Sequence, residues 1–373
     1  MNMKQSYSLP YIGFIGGDMR QVYAYEYIKN KNFPVSAYSL SGGITSDSLP
    51  DILKNASVLV GGIPFSKDSK TLFLSSAPFQ KNAPIEIDYF LSCLFHSQNQ
   101  SKSRMLFAGK IPKKVKEFCS NNHIIYHDFL EDETFAAANA LPTAEGAIME
   151  AIALGNTVLE DQKCLVLGYG RCGSVLAQKL KALSADVTIY TRHSEQKTYF
   201  ENMGFHFYDD QLPSIRNTSP KTNSSTSSHK VSNQTESKPY DKILHDADKP
   251  YAETLYAADK PYDKTLYAAD QQYNEILYAA DIEHSPHSSL SEYTYIFNTV
   301  PSLLLDSNTL SQLSPDTVII DIASAPGGID YNAVSSYPVH ARHLLGIPGK
   351  IAPKYAGELI AQTILSSIDE TGL

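Results

Sequence analysis

The chain contains no run of about 18 apolar residues, the length a helix needs to cross a bilayer, so no membrane span is expected. Its first residues, MNMKQSYSLPYIGFIGGD, lack the basic start and continuous apolar core of a secretory signal. Positive charge is in deficit: 31 Lys and Arg face 40 Asp and Glu, for a formal charge of -9, which argues against a nucleic-acid binder with a basic face. Cysteine is sparse. Cys93, Cys119, Cys164 and Cys172 form no CxxC and no Cys/His cluster at metal spacing, so they read as reduced thiols and no metal site is expected. There is no GxSxG elbow, and His340 and His343 have no spacing that demands catalysis. These absences leave a cytoplasmic protein of 373 residues, long enough for two domains.

What is present is alternation. The apolar runs YIGFIGG, VSAYSL, ASVLVGG, RMLFAG and IIYHDF are separated by helical patterns, the signature of a parallel sheet with crossovers. Residues 1–141 are therefore expected to form an N-terminal α/β domain on the substrate side. PTAEGAIMEAIALGNT sets Pro142 ahead of an apolar-periodic run and predicts a linking helix over 142–157. A second α/β domain is expected over 158–352, followed by an amphipathic C-terminal helix within 353–373.

The second domain is interrupted over 214–290. SIRNTSPKTNSSTSSHKVSNQTES has almost no large apolar residues and reads as a flexible linker. It runs into a repeat of period eleven, KPYDKILHDAD, KPYAETLYAAD, KPYDKTLYAAD and QQYNEILYAAD, in which Pro239, Pro250 and Pro261 break any continuous helix. Two readings stand: tandem duplication within a tolerant surface loop, or a Tyr/Leu stripe that binds something.

LVLGYGRCGSVLAQKLKALSADVTIYTRHSE, residues 165–195, carries the strongest signal. A GxGxxG that follows an apolar strand, opens a helix and precedes a second strand is a dinucleotide-binding turn. Gly168 permits the tight turn, Gly170 lets a pyrophosphate approach the backbone, and Gly173 allows helix to pack on strand. The helix N-terminus offers free N–H groups to phosphate. Arg171 adds a charge-assisted contact, and Cys172 lies within the same turn. The expected class is thus α/β, two Rossmann-like parallel-sheet domains with a cofactor cleft between them. Where the second strand ends, the usual Asp or Glu that holds a ribose hydroxyl is missing. Thr191, Arg192 and His193 stand there instead, favouring the extra phosphate of NADP over NAD, unless Arg192 lies along the adenine or in solvent.

Other candidates sit where strands end and a crevice is expected. Asn298, Thr299, Val300 and Pro301 follow one strand; Ser324 and its small neighbours in DIASAPGG follow another, leaving room for a nicotinamide ring, with Asp321 a buried group holding the loop. In the first domain, GGDMRQ brings Asp18 and Arg20 to the crevice side, where Arg20 either grips a carboxylate through two parallel hydrogen bonds or makes a plain salt bridge. GGIPFS contributes Gly62, and PTAEG brings Thr143 and Glu145 to the hinge; Glu145 is either a dipole-favoured helix-start carboxylate or a proton acceptor.

Taken in order, GFIGGDMRQ, ALPTAEGAIMEAI, LVLGYGRCGSVLA, IFNTVPS, IIDIASAPGGID and LGIPGKIAPKYAGELI resemble the A-subunit family of dipicolinate synthase. The resemblance leaves out about 214–290. It implies two nucleotide-fold domains arranged as in D-2-hydroxyacid dehydrogenases, and NADP-linked oxidation of dihydrodipicolinate, derived from a hydroxylated tetrahydro compound, to pyridine-2,6-dicarboxylate in a sporulating mother cell. It also implies a partner, the flavoprotein-like B subunit, in a homo-oligomer or hetero-complex. On this reading Arg20, Thr143 and Gly62 contact the dicarboxylate, and Glu145 or Asp18 assists proton removal. Two rivals are a dehydrogenase of the 2-hydroxyacid or amino-acid type, which needs a His paired with Asp or Glu beside the nicotinamide, and an NADP-binding protein without chemistry that activates a partner.

Overall fold

The computed structural model describes residues 9–74, 84–97, 104–209, 212–213 and 289–372. The expected linker and repeats lie outside these residues, apart from Ser289 and Leu290.

The N-terminal part is a five-stranded parallel sheet of β1 (Ile12–Ile15), β2 (Val35–Tyr38), β3 (Val58–Val60), β4 (Arg104–Ala108) and β5 (Ile124–Asp128), in the order β2-β1-β3-β4-β5. β1, β3 and β4 are buried along their whole length, so apart from Arg104, which donates to Ser97, their sequences are apolar runs instead of alternating ones. The crossovers hold α1 (Met19–Asn30), α2 (Leu49–Asn55), α3 (Ile87–His96) and α4 (Lys113–Asn121). One face of the sheet carries Ile12, Phe14, Val60 and Phe107; the other carries Ile15, Leu59 and Leu106 against Ile52, Leu53, Phe90 and Leu94.

α5 (Glu133–Gly155) links the two sheets, and it starts earlier than the 142–157 expected. Asp132 caps it by accepting from the Phe135 N–H, which fixes the start ahead of the proline. Pro142 is therefore inside the helix, where a missing N–H normally costs about 3 kcal/mol. The Tyr355 hydroxyl answers for the freed carbonyl, donating to Ala138 O at 3.5 Å, and the next residue, Thr143, donates its Oγ1 to Asn139 O at 2.8 Å.

The second sheet has six parallel strands: β6 (Lys163–Leu167), β7 (Asp186–Tyr190), β8 (His206–Phe207), β9 (Tyr295–Asn298), β10 (Val318–Asp321) and β11 (His340–His343), ordered β11-β10-β9-β6-β7-β8. The chain order reverses between β6 and β9, a switch point whose carboxyl side opens a crevice. α6 (Arg171–Ala182) and α5 cover one face, while α7 (Lys197–Asn202) follows β7. The other face packs Leu165, Ile296 and Ile319 on Leu304, Leu305 and Leu310, the last of these in α8 (Ser307–Leu310). Short helices α9 (Tyr331–Val334) and α10 (Ile347–Ile351) precede the C-terminal α11 (Pro353–Thr371). α11 returns to the first sheet, burying Ile360, Ile364 and Ile368 with Val22, Ala24 and Ile28 of α1. Among the described residues, no helix is long and apolar enough to cross a membrane.

Candidate functional site

β6 runs into the glycine turn, and the three glycines meet different surroundings. Gly168 has φ +94, and a Cβ there would come within 2.6 Å of Thr299 Oγ1 and Val300 Cγ2. A Cβ on Gly173 would be driven into the carbonyl oxygen of Gly168. One on Gly170 would meet nothing within 4 Å. Two positions are thus closed by the protein's own packing, and the one between them faces open space at the N-terminus of α6, as a cradle for a pyrophosphate requires. Arg171 is turned aside: its Nη1 lies 3.4 Å from both carboxylate oxygens of Glu133 at the start of α5. Cys172 is half-buried, and burial raises its thiol above the usual range, against the opposing charge of Arg171.

Past the end of β7, Thr191 Oγ1 accepts the His193 N–H at 3.1 Å, and His193 Nδ1 lies 3.0 Å from Glu195 Oε1. Arg192 is exposed beside them. The acidic residue missing from the strand end therefore appears further along the chain, paired with the histidine.

The ends of β9 and β10 are organised by Asp321. Its carboxylate is fully buried and accepts from Asn298 Nδ2 at 2.8 Å, Ala323 N at 3.0 Å, Gly328 N at 2.8 Å and the Tyr331 hydroxyl at 2.8 Å. Four donors offset the cost of burying the charge. Gly327, at φ +89, and Gly328 are required because a side chain at either would strike Asp321 or Asn298. Burial and the bond to Asp321 push the Tyr331 hydroxyl far above its ordinary range, so it stays a donor. Asn298 is itself fully buried, with its amide bonded to Asp321 and Val300, so it braces the crevice wall. Thr299 gives both its N–H and its hydroxyl to Leu167 O, while Pro301 and Ser324 are exposed at the strand ends.

In the first domain Asp18 caps α1 and Arg20 lies over it, buried, with Nε 2.9 Å from Asp18 Oδ1 and Nη2 2.7 Å from Oδ2. Nη2 also donates to Ile63 O, and Gly349 of α10 packs on the pair. The parallel hydrogen bonds expected to grip a ligand are made to Asp18. Gly62 accepts from Gly109 N at 3.1 Å and is walled by Phe73 and Pro64. Thr143 is buried in α5, bonded to its own helix. Glu145 is exposed and paired with Lys179 of α6 at 2.8 Å, well inside α5 and away from its start. The structure thus gathers the glycine turn with the 298–301 and 321–328 loops, whereas Asp18 with Arg20, and Glu145 with Lys179, form separate ion pairs.

Residues 11–130 match the family described as the N-terminal domain of the dipicolinate synthase A subunit. The dipicolinate synthase A subunit of Bacillus subtilis is 24% identical over 241 residues, 64% of this chain and 56% of that protein. The chain is similar to dipicolinate synthase A subunits, most directly over its N-terminal domain. The alignment spans just over half the length of that relative. The crystal structure of the family's Bacillus halodurans protein superposes with a TM-score of 0.66 at 19% identity, covering 96% of this chain and 97% of that one. The apo D-lactate dehydrogenase of Escherichia coli does so at 0.52 and 8% identity, over 97% of each chain, so this chain shares the two-domain, Rossmann-like fold of that structure.

Three features of this chain escape a reading of its sequence. Glu195 lies two residues past the last position where an acidic group is sought. Tyr331 and His343, which end up around Asp321, lie just outside the quoted motifs, Tyr331 directly after IIDIASAPGGID and His343 two residues before LGIPGK; their rings stack at 5.5 Å and 18°. The visible clue is the pairing of Asp321 with the double glycine, which demands a turn around a buried acceptor.

Proposed function

We propose that this chain is a nicotinamide-dinucleotide oxidoreductase that uses NADP to oxidise dihydrodipicolinate to pyridine-2,6-dicarboxylate. The observation that carries it is the open face of Gly170 between two glycines that have no room for a side chain. The similarity to dipicolinate synthase A subunits suggests the substrate. When bound, the nicotinamide accepts a hydride from the ring, and aromatisation drives the reaction.

The protein's part is to position and to exclude water. Free N–H groups at the start of α6 hold the pyrophosphate, with Arg171 leaving Glu133 to join them. Arg192, with Thr191 and His193, meets the 2′-phosphate. The loop around Ser324, held by Asp321, forms the floor for the nicotinamide. Among the described residues Arg20 Nη1 has no partner and is left for a substrate carboxylate, the other side-chain nitrogens being engaged by Asp18 and Ile63. The reaction belongs to the cytoplasm of the sporulating mother cell, where the partner is the flavoprotein-like B subunit.

The test supplies the purified chain with freshly made product of dihydrodipicolinate synthase and with NADP or NAD, in the presence and absence of the flavoprotein-like partner, and follows reduced-nicotinamide absorbance. Reduction of NADP faster than NAD is expected. Binding of NADP without reduction under any combination would favour a cofactor-binding protein that activates its partner.

A further inference from the structure

Removing a hydride and a proton from neighbouring ring atoms needs a base, and the carboxylates singled out by sequence are engaged: Asp18 by Arg20 and Glu145 by Lys179. His127 is engaged by Asp132 and His193 by Glu195. His343 differs. It is the last residue of β11, and the register Leu167↔Asn298↔Asp321↔His343 places it at the level where β6 enters the glycine turn. Three strand spacings, about 14 Å, separate it from β6. It lies on the β9–β11 side of the switch point, opposite β7, whose end carries the ribose-side residues Thr191 to His193. A dinucleotide spanning the crevice with its adenosine half at β7 extends its nicotinamide half toward this side.

The ring is held in one orientation. His343 Nε2 lies 2.8 Å from Ala323 O, and a carbonyl only accepts, so Nε2 carries the proton. That leaves Nδ1 as a lone-pair acceptor, with no partner among the described residues. Stacking on Tyr331, whose hydroxyl is anchored to Asp321, fixes the ring plane. The neighbouring Arg342 reaches Glu150 of α5 at 2.6 Å, so its charge is neutralised elsewhere.

Resting on the redox reading above, we propose that His343 is the proton acceptor of the dehydrogenation. One ring C–H bond breaks with its electron pair passing as hydride to C4 of the nicotinamide. The proton on the adjacent ring atom passes to His343 Nδ1, and the pair left behind becomes the new ring π bond. Imidazolium then releases its proton to solvent, so NADP⁺ and the dihydro compound give NADPH, the pyridine and one proton.

The test uses the full chain and two measurements. In the first, His343→Gln should lower kcat at least about 100-fold, the usual contribution of a general base, with the NADP Kd unchanged within about twofold and partial rescue by added imidazole. In the second, ¹⁵N-histidine spectra of the wild type, assigned by loss of one signal in His343→Asn, should show Nε2 protonated and Nδ1 bare. Turnover of His343→Gln within about threefold of an active wild type, or a protonated Nδ1 in the neutral ring, overturns the assignment of His343 alone. A wild-type chain that reduces no nicotinamide with or without its partner overturns the redox reading as well.

Discussion

Gly170 and Gly173 lie in the same turn and meet the same added methyl group in opposite ways. At Gly170, φ -80 and ψ -165 suit alanine and the space is open, so Gly170→Ala should cost under about 1 kcal/mol of stability. Its methyl nevertheless occupies the approach of a pyrophosphate, and NADP affinity should fall more than about tenfold. At Gly173 the methyl meets the backbone of Gly168, which cannot step aside without moving the strand; an overpacking cost of about 1–3 kcal/mol is expected together with the loss of binding. Thermal melts and fluorescence titration with NADPH separate the two, and equal melting points would refute the packing argument. These glycines were legible because their meaning is backbone geometry close in sequence. The roles sought for Arg20, Asp18 and Glu145 were not, because whether a charged group is available depends on its partner. Lys179, which engages Glu145, is visible only once α5 lies along α6. For Arg20 the sequence held both outcomes open, and the partner two residues away took the fork.

Elements show the same division between local and distant causes. Central strands were readable from their apolar runs, since a parallel sheet covered on both faces leaves little polar alternation to confuse them, whereas the half-exposed edge strand β11, HARH, precedes the next apolar stretch and carries no such run. The start of α5 was not, because a proline inside a helix is usually a boundary, and here Asp132 and Tyr355 override it. α11 packs closely on α1, where Gly357 lies against Arg20 and Tyr23. A Cβ on Gly357 would come within 2.5 Å of Arg20 O and 2.6 Å of Tyr23 Cβ. Alanine gains about 1 kcal/mol in helix propensity, but neither contact is the end of a flexible chain, so the clash should prevail. Gly357→Ala is expected to lower stability in urea by a net ~1–2 kcal/mol; a raised midpoint would mean that α11 is free to lift from α1.

At the scale of the whole molecule, the question is how a fold built on two sheets accommodates residues 214–288 between β8 and β9. The flanking residues give a physical answer, since Tyr208, Leu212, Leu290 and Tyr293 share one buried cluster, with the rings of Tyr208 and Tyr293 at 6.3 Å. The chain thus leaves and re-enters the second domain at one apolar patch, on the face opposite α5 and α6. A segment acting only as a tether between such ends carries a closure cost that grows by about 0.6 kcal/mol per doubling of length. Replacing it with a short turn should therefore leave stability unchanged or raise it by ~2 kcal/mol, with NADP affinity intact. The excised and full-length chains are to be compared by melting and by NADPH titration. A lower melting point would make the segment part of the fold, whereas a preserved melting point with weakened binding would assign the tyrosine and leucine stripe a role at the adenine end of the crevice.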